Sequence, residues 1–328
     1  MAPRQQRLDP ATTIAANRQR RGRSGNPAYR DTPPPRTAGW RDWVEGARIR
    51  TLPMALAPVL IGTAAAVRAG DPGEFHWVRA LLCLVIAVAL QIGVNYANDY
   101  SDGVRGTDDA RVGPGRLVGG GLAPASAVLR VALGFFGLAA IAGVVLTVVT
   151  GIWWLPLVGV LAIVAAWFYT GGRRPYGYLG FGEVFVFLFF GLVATLGTMY
   201  AQVGLLSQEA WIGAIGGGLI ACAALEINNI RDIEQDRAAG KRTLSVRIGR
   251  TASLVLFCLQ LLVPFALAAL LAIFYPLAWG ALFGLLIAIP ACLIAVTATT
   301  PKELILVLKL VGFVQIVFSV LLSAALVL

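Results

Sequence analysis

Residues 226–250 read EINNIRDIEQDRAAGKRTLSVRIGR, a segment with four acids and six bases between two long apolar runs. Charge is rare in the rest of the chain, because the 328 residues are 58% hydrophobic and only 13% charged. A soluble protein could not cover such an apolar interior with so few charges. The composition therefore indicates a multi-pass membrane protein.

Apolar windows long enough to cross a bilayer recur along the chain, and they predict nine transmembrane helices. The predicted spans are 51–68, 78–98, 124–147, 152–170, 183–205, 210–228, 252–273, 276–298 and 304–327. These windows are continuously apolar, without the two-residue alternation of a β-barrel strand. The predicted fold class is therefore an all-α membrane protein.

Lysine and arginine residues are concentrated in segments that would face one side of the membrane. The basic segments are the N-terminal arm to Arg50 and the loops 99–123, 171–182 and 229–251. The positive-inside rule then places the N-terminus and these loops in the cytoplasm and the C-terminus outside the cell membrane. The net charge of +10 is explained by this topology and by attraction to anionic membrane lipids, not by nucleic-acid binding.

The N-terminal region divides into two parts. Residues 1–39 are polar and arginine-rich and lack the apolar core of a signal peptide, which predicts a disordered basic cytoplasmic tail. Residues 40–50 predict an interfacial helix, with Trp40 and Trp43 at the level of the lipid headgroups. The transmembrane domain then occupies 51–328.

Two clusters of acidic residues follow apolar helices that run toward the cytoplasm, one within 95–116 and one within 226–250. Each cluster places a carboxamide and two carboxylates on one helical stripe, within an arc of about 60°. The two stripes are Asn95, Asp99 and Asp102, and Asn229, Asp232 and Asp236. Carboxylates at a helix C-terminus oppose the macrodipole, and each costs about 2.5–3.5 kcal/mol near hydrocarbon. Positive charge is therefore expected between the stripes.

The ligand types predict which cation this is. Carboxylates and carboxamides without His or Cys select a hard ion, and Mg²⁺ typically takes one or two carboxylates and completes its shell with water and phosphates. Bases accompany both clusters: Arg105, Arg111 and Arg116 in the first, and Arg231, Arg237, Lys241 and Arg242 in the second. Metal ions on acids, ringed by bases, suit a diphosphate whose departing charge must be stabilised.

The two clusters also indicate an internal repeat. Asp99 and Asn229 are 130 residues apart (229 − 99), and four predicted spans separate the corresponding positions. Because each cluster follows a helix of the same direction, the repeat is parallel. Two parallel four-helix units plus a ninth helix would enclose a central cavity that opens to the cytoplasm.

These motifs resemble those of the UbiA superfamily of intramembrane prenyltransferases. NDYSD at 98–102 and the acidic segment after the sixth span carry the general resemblance. RIRTLPMALAPVLIG at 48–62, YTGGRRPYGYLGFGE at 169–183 and NNIRDIEQDRAAGKRTLSVRIG at 228–249 resemble, within it, the 1,4-dihydroxy-2-naphthoate polyprenyltransferases of menaquinone biosynthesis. The resemblance extends from about residue 46 onward, and the glycine run at 119–121 departs from it.

The resemblance implies a Mg²⁺-dependent enzyme that transfers a polyprenyl group from polyprenyl diphosphate to 1,4-dihydroxy-2-naphthoate. Loss of diphosphate and CO₂ would give demethylmenaquinone. By matching positions, the catalytic residues would be Asp99, Asp102, Asp232 and Asp236, which together with Asn229 would hold the metal. The diphosphate-binding candidates are Arg50, Arg237, Lys241 and Arg242. The supporting candidates are Asn95, Asn98, Asp108, Asn228 and Tyr169.

Two alternatives remain open from the sequence. A prenyltransferase of the same superfamily with another acceptor, such as 4-hydroxybenzoate, would carry the same two acidic clusters. A secondary transporter could also place acids among nine helices, although transporter sites favour the bilayer midplane and broken helices.

Overall fold

The computed structural model describes residues 37–71, 75–106 and 116–328. Almost all of the predicted tail, and Asp108, lie outside these ranges. The described ranges are helical and contain no strand. In chain order the main helices are α1 (Trp40–Gly46), α2 (Pro53–Ala69), α3 (Trp77–Arg105), α4 (Ala125–Thr150), α5 (Leu155–Phe168), α6 (Gly182–Val203), α7 (Gln208–Ala238), α8 (Leu244–Leu271), α9 (Pro276–Thr297) and α10 (Pro301–Val327). The predicted all-α membrane class is confirmed.

Helix length and apolarity identify the membrane-spanning candidates. Within the described residues seven helices pass both criteria, namely α3, α4, α6, α7, α8, α9 and α10. The segment Trp40–Thr51 and helix α2 are bent by 48° and pass together as one span. Helix α5 is apolar but has only 14 residues, about 21 Å of helix against a hydrocarbon core of about 30 Å. Each predicted span thus corresponds to an observed helix, and the helices for 51–68 and 152–170 are the short ones.

Local sequence signals begin and end the helices. Pro53 and Pro301 each take the first helical position, where the missing N–H costs nothing. Thr300 and Glu303 form a capping box at the start of α10. Helix α4 ends at Thr150, and the next residue, Gly151, has a φ of 72° and donates its N–H to the Thr147 carbonyl, which is the αL type of C-cap. The positions at which these helices begin and end are therefore determined by residues that flank each apolar run.

Helix α7 lies at the centre of the packing. Of its apolar window 72% is buried, against 22–44% for the other span candidates, and it packs on α2, α6, α8 and α10. Gly191 of α6 meets Gly218 of α7, where a Cβ on either residue would lie 2.8 Å from the other's Cα. Small residues permit this close approach of two backbones. Helix α2 also packs on α10, which brings the first and last spans together.

The two acid-bearing helices are long enough to leave the hydrocarbon. Helix α3 has 29 residues and α7 has 31, about 44 and 46 Å at 1.5 Å per residue. Because a bilayer core is about 30 Å thick, their polar ends can extend beyond it. In the described part of the chain, α3 packs mainly on α4 and α7 mainly on α8, and α3 and α7 are not among the closely packed helix pairs. Side chains from connecting segments bridge their ends.

Candidate active site

The acidic ends of α3 and α7 meet at Lys241, which lies just after α7. Its Nζ is 3.3 Å from Asp102 Oδ1 and 3.9 Å from Asp236 Oδ1. Asp102 belongs to α3 and Asp236 to α7, so one ammonium group joins the two clusters. The side chains of Lys241 and Asp102 are only 9% and 4% exposed. A buried carboxylate requires such a partner, because an uncompensated buried charge is strongly destabilising.

Asp102 has two further partners from distant parts of the chain. Arg116 Nη2 lies 3.6 Å from Asp102 Oδ2. The Tyr178 hydroxyl donates a hydrogen bond to Asp102 Oδ1. The Lys241 ammonium also stands 4.5 Å from the centroid of the Tyr178 ring, within cation–π range. Asp102 is therefore the point at which two bases and a phenol converge.

Asp232 is neutralised by its neighbour in sequence. Arg231 donates from Nε to Asp232 Oδ1 and from Nη2 to Asp232 Oδ2, both at 2.7 Å. This bidentate geometry is the strongest form of a guanidinium–carboxylate pair. Both residues are buried, so the pair places a second cation at the polar end of α7.

The carboxamides of α7 have separate partners. Asn229 Nδ2 donates to Glu183 Oε1 at 2.7 Å, and Glu183 is a buried acid in the first turn of α6. Asn228 Nδ2 donates to the Ala224 carbonyl of its own helix at 2.9 Å. Glu183 therefore orients the Asn229 side chain. The sequence feature that could have identified Glu183 is an acid at the start of an apolar helix.

Polar residues of the first acidic cluster contact three different segments of the chain. Asn95 Nδ2 donates to the Ala47 carbonyl at 3.0 Å, which ties α3 to the segment after α1. Asp99 accepts backbone N–H groups of the segment that follows the undescribed residues 107–115. Asn98 Oδ1 accepts from Thr170 Oγ1 at 2.7 Å. Among the stripe residues it is Asp102 that meets Lys241.

The predicted diphosphate-binding bases differ in position. Arg50 and Arg242 are exposed. Arg237 has a side chain 56% exposed and pairs with Glu234 on the outer face of α7 at 3.3 Å. Of these four candidates the structure brings Lys241 to the two acidic clusters. The sequence placed Arg116 and Arg231 beside the clusters without a specific role. Arg231 is buried against Asp232, and the Arg116 side chain, 9% exposed, lies against Asp102.

Tyr178, which contacts Asp102, lies in the connection between α5 and α6. Arg105 at the end of α3 donates to the carbonyls of Thr170 and Gly172 and lies over the Tyr178 ring, 5.3 Å from its centroid. Tyr176 donates to the Ala165 carbonyl at 2.8 Å, and burial raises the pKa of its phenol above the usual value. Tyr176 is therefore a neutral donor that anchors this connection.

Tyr169 packs against the same connection and accepts one of its backbone hydrogen bonds. Its ring packs edge-on against Tyr176 with centroids 5.6 Å apart, and its carbonyl accepts from Gly177 N–H at 3.0 Å. Nothing in the sequence of this connection indicated that Tyr178 would reach Asp102.

The donor set suits a hard divalent cation that is shared with a phosphate ligand. In the described ranges no three His, Cys, Asp or Glu side chains are grouped to hold one metal ion. Asp102 and Asp236 nevertheless come within reach of one ammonium group, and Mg²⁺ commonly takes one or two carboxylates and fills its shell with water and phosphate oxygens. The nearby bases Arg116, Arg231 and Lys241 would then face those phosphates.

Sequence comparison relates the chain to known proteins over most of its length. The model of the UbiA prenyltransferase family matches residues 55–325. A 1,4-dihydroxy-2-naphthoate octaprenyltransferase of Mycobacterium tuberculosis is 45% identical over 295 residues, which cover 88% of this chain and 98% of that protein. The Escherichia coli protein of the same name is 39% identical over 257 residues, covering 74% of this chain and 80% of that protein.

Solved structures share the fold at low sequence identity. A UbiA homologue from Aeropyrum pernix has a TM-score of 0.62 at 16% identity, covering 83% of this chain and 95% of that one. A UbiA homologue from Archaeoglobus fulgidus, bound to GPP and Mg²⁺, has a TM-score of 0.58 at 14% identity. That alignment covers 88% of this chain and 100% of the other.

Proposed function

Because the chain belongs to the UbiA prenyltransferase family, we propose that it transfers a polyprenyl group from polyprenyl diphosphate to 1,4-dihydroxy-2-naphthoate. Diphosphate and CO₂ leave, and the product is demethylmenaquinone in its quinol form. The bacterial relatives named above, 45% and 39% identical to this chain, carry the name of this activity. The enzyme is a membrane prenyltransferase of menaquinone biosynthesis.

The observation that carries this proposal is the contact of Lys241 with both Asp102 and Asp236. It joins the polar ends of two long apolar helices in one buried ionic site. A lipid-soluble diphosphate presents the same combination, since its chain needs an apolar surface and its head needs charge. A transporter site at mid-bilayer would not place its acids at the helix ends beside so many bases.

We assign metal binding to Asp102, Asp232, Asp236 and Asn229. When bound there, Mg²⁺ would neutralise the diphosphate oxygens and stabilise the negative charge of the departing pyrophosphate. The Mg²⁺ bound with GPP in the Archaeoglobus fulgidus homologue supports this cofactor. The side chains of Arg116, Arg231 and Lys241 bind the remaining diphosphate oxygens, which replace part of the pairing that they make with the carboxylates.

The reaction breaks two bonds, the allylic C–O bond and the C–C bond between the naphthoate ring and its carboxylate, and it forms one new C–C bond. The allylic C–O bond of the polyprenyl diphosphate lengthens, its electron pair leaves with pyrophosphate, and positive charge develops on the isoprenoid carbon. The naphthoate ring carbon that bears the carboxyl group attacks this carbon, and the carboxyl group then leaves as CO₂. The Tyr178 ring, whose centroid is 4.5 Å from the Lys241 ammonium, supports the proposal that an aromatic face stabilises positive charge here.

The proposal includes nine spans in two parallel four-helix units plus a ninth helix, with the site on the cytoplasmic side of the cell membrane and the C-terminus outside. It is supported by the equivalent packing of the two acid-bearing helices, α3 on α4 and α7 on α8. Helices α2 and α5, although short, are apolar and continue into flanking turns. Apolar side chains between the helices would hold the isoprenoid chain, which lipid can reach laterally.

A direct assay tests the proposed function. The purified protein in lipid nanodiscs is incubated with octaprenyl diphosphate and 1,4-dihydroxy-2-naphthoate, with Mg²⁺ or with EDTA, and the product is identified by mass. We expect demethylmenaquinol with Mg²⁺ and none with EDTA. If product forms from 4-hydroxybenzoate and not from 1,4-dihydroxy-2-naphthoate, the naphthoate is rejected as the acceptor. The absence of product with every aromatic acceptor would reject the prenyltransferase assignment.

A further inference from the structure

Asp99 stands at the start of the first acidic motif, yet both its oxygens bind backbone. Asp99 Oδ2 accepts from Leu117 N–H at 2.9 Å, and Asp99 Oδ1 accepts from Val118 N–H at 3.1 Å. The residue is 1% exposed. One buried carboxylate thus satisfies two consecutive amides of the segment 116–123, which leads into α4.

The segment 116–123 is a compact turn held by its own backbone and by α1. Leu122 N–H and Ala123 N–H both donate to the Leu117 carbonyl, at 2.9 and 3.0 Å. Ala38 N–H, ahead of α1, donates to the Leu122 carbonyl at 2.9 Å. Asp99 therefore anchors a structured turn at its second and third residues.

Packing around the anchor leaves the turn little freedom. Leu117 is 1% exposed, and its Cδ1 would lie 2.9 Å from a Cβ added at Gly46 of α1. The Val118 Cβ would lie 2.5 Å from a Cβ added at Gly103 of α3. Two glycines thus make room for the two residues whose amides Asp99 holds.

The turn determines where Arg116 points. Arg116 directly precedes Leu117, and its Nη2 lies 3.6 Å from Asp102 Oδ2. The side chains of Arg116 and Asp102 are 9% and 4% exposed. Asp99 fixes the backbone of residues 117 and 118, and this restricts the backbone of the adjacent Arg116. The Arg116 guanidinium is thereby held near Asp102.

We propose that Asp99 is a positioning residue that orients Arg116 toward the diphosphate, and that it does not ligate the metal ion. If Asp99 bound a metal ion, the buried N–H groups of Leu117 and Val118 would lose their hydrogen-bond acceptor. Asp102 and Asp236 instead contact side-chain cations, which can rotate to bind phosphate when a metal ion takes their place. This inference rests on the proposed function and revises the sequence-based assignment of Asp99 as a metal ligand.

The test compares Asp99→Asn with Asp102→Asn in the full-length protein in nanodiscs. Hydrogen–deuterium exchange is measured over 116–123, and Mn²⁺ affinity is measured by electron paramagnetic resonance. We expect Asp99→Asn to raise exchange in this segment at least tenfold and to keep Mn²⁺ affinity within about twofold of the parent. Asp102→Asn should weaken Mn²⁺ binding at least tenfold and leave the segment protected. Weakened Mn²⁺ binding in Asp99→Asn, or unchanged exchange, overturns the proposal.

A second variant keeps the test decisive if Asp99→Asn is poorly folded. Arg116→Gln leaves the anchor intact, so exchange in 117–123 should stay at the parental level while the KM for polyprenyl diphosphate rises several-fold. Asp99→Asn and Arg116→Gln should not be additive in KM, because they remove the same contact. Fully additive effects would reject the link between the two residues. If the parent protein itself binds no Mn²⁺, the proposed function fails, and the exchange result still decides whether Asp99 is the anchor.

Discussion

At the level of single residues, the site depends on which acid each base contacts. Lys241 bridges Asp102 and Asp236, and Arg231 holds Asp232 through two hydrogen bonds. The pairs are buried except that the Asp236 side chain is 14% exposed, so removing one member leaves a charge that the surroundings solvate poorly. Substitutions in this network should therefore affect substrate binding and turnover together, unlike substitutions of exposed charges on the same helix.

Asp236→Asn is expected to lower the turnover rate at least about 100-fold, equivalent to about 2.7 kcal/mol of transition-state stabilisation. Its carboxylate contacts Lys241 and is assigned to the metal. Glu234→Gln is the matched control on the same helix, because the Glu234 side chain is 71% exposed and pairs with Arg237 at the surface. Initial rates of demethylmenaquinol formation measure both variants. Equal rates in the two would remove Asp236 from the site.

Lys241→Met is expected to raise the KM for polyprenyl diphosphate and to lower kcat/KM at least about tenfold, about 1.4 kcal/mol. Methionine keeps the length of the side chain and removes the charge that two carboxylates share. Arg237→Gln serves as the comparison, since the sequence motif made Arg237 a diphosphate candidate and the structure places it on the outer face of α7. A larger loss in Arg237→Gln than in Lys241→Met would reverse the assignment.

At the level of helices, close crossings hold the acid-bearing α7 in place. Helix α6 contains a π-helical stretch at Phe187–Val193 that includes Gly191, the residue that meets Gly218. π-Helical turns commonly occur at functional sites, and here the turn lies on the helix whose first turn carries Glu183, the partner of Asn229. The close contact of Gly191 with Gly218 therefore helps to position Glu183, which binds Asn229.

Gly191→Ala is expected to destabilise the protein by about 1–3 kcal/mol, the usual range for overpacking. The new Cβ would lie 2.8 Å from Gly218 Cα and 2.9 Å from the Ala214 carbonyl oxygen, both backbone atoms. Gly197→Ala, also in α6, has nothing within 4 Å of its Cβ and should be neutral or stabilising by up to about 1 kcal/mol. Thermal unfolding in detergent compares the two. Equal melting temperatures would mean that the crossing is not rigid.

At the level of the whole molecule, the N-terminal region consists of helix α1, which packs on the transmembrane domain, and the residues before it. Helix α1 contacts α3, where Tyr96 donates its hydroxyl to the Trp43 carbonyl at 2.5 Å, and it also adjoins the turn that carries Leu117. The sequence predicts that residues 1–39, ahead of it, form a disordered basic cytoplasmic tail, whose loss should cost little activity.

Deletion of residues 1–36 is therefore expected to leave activity within about twofold of the parent. Deletion of 1–46 should lower activity at least about tenfold, because it removes α1 together with the Trp43 carbonyl that accepts from Tyr96. Both variants are compared by activity per inserted protein. Full activity without α1 would show that the turn 116–123 is held by Asp99 and α3 alone.

The proposed orientation is tested by cysteine labelling in intact cells. In a cysteine-free background, Leu206→Cys lies in an exposed segment between α6 and α7, and Lys302→Cys lies at the start of α10. A membrane-impermeant maleimide should label the first in intact cells and the second only after permeabilisation. The reverse pattern would invert the topology and place the acidic site outside.

Much of the fold was predictable because span length and helix ends are local properties. The windows predicted at 78–98 and 210–228 appear as the helices Trp77–Arg105 and Gln208–Ala238. Both helices continue past the predicted ends through the acidic motifs, because Asn, Asp and Arg side chains there find partners that allow the helix to go on. Hydropathy placed the ends of the two spans where the apolar residues stop, whereas the helical stripes of Asn and Asp residues already required both helices to continue beyond them.

A helical membrane protein with two acid-rich helix ends is predictable from the sequence, since apolar length and residue type act at each position without reference to the rest of the chain. What each acid contacts depends instead on how the segments pack. Asp99 and Asp102 lie on one stripe, yet Asp99 holds a backbone turn and Asp102 meets Lys241, 139 positions away. The physical reason is that three separate segments pack around the end of α3, and which of them each carboxylate reaches depends on that packing.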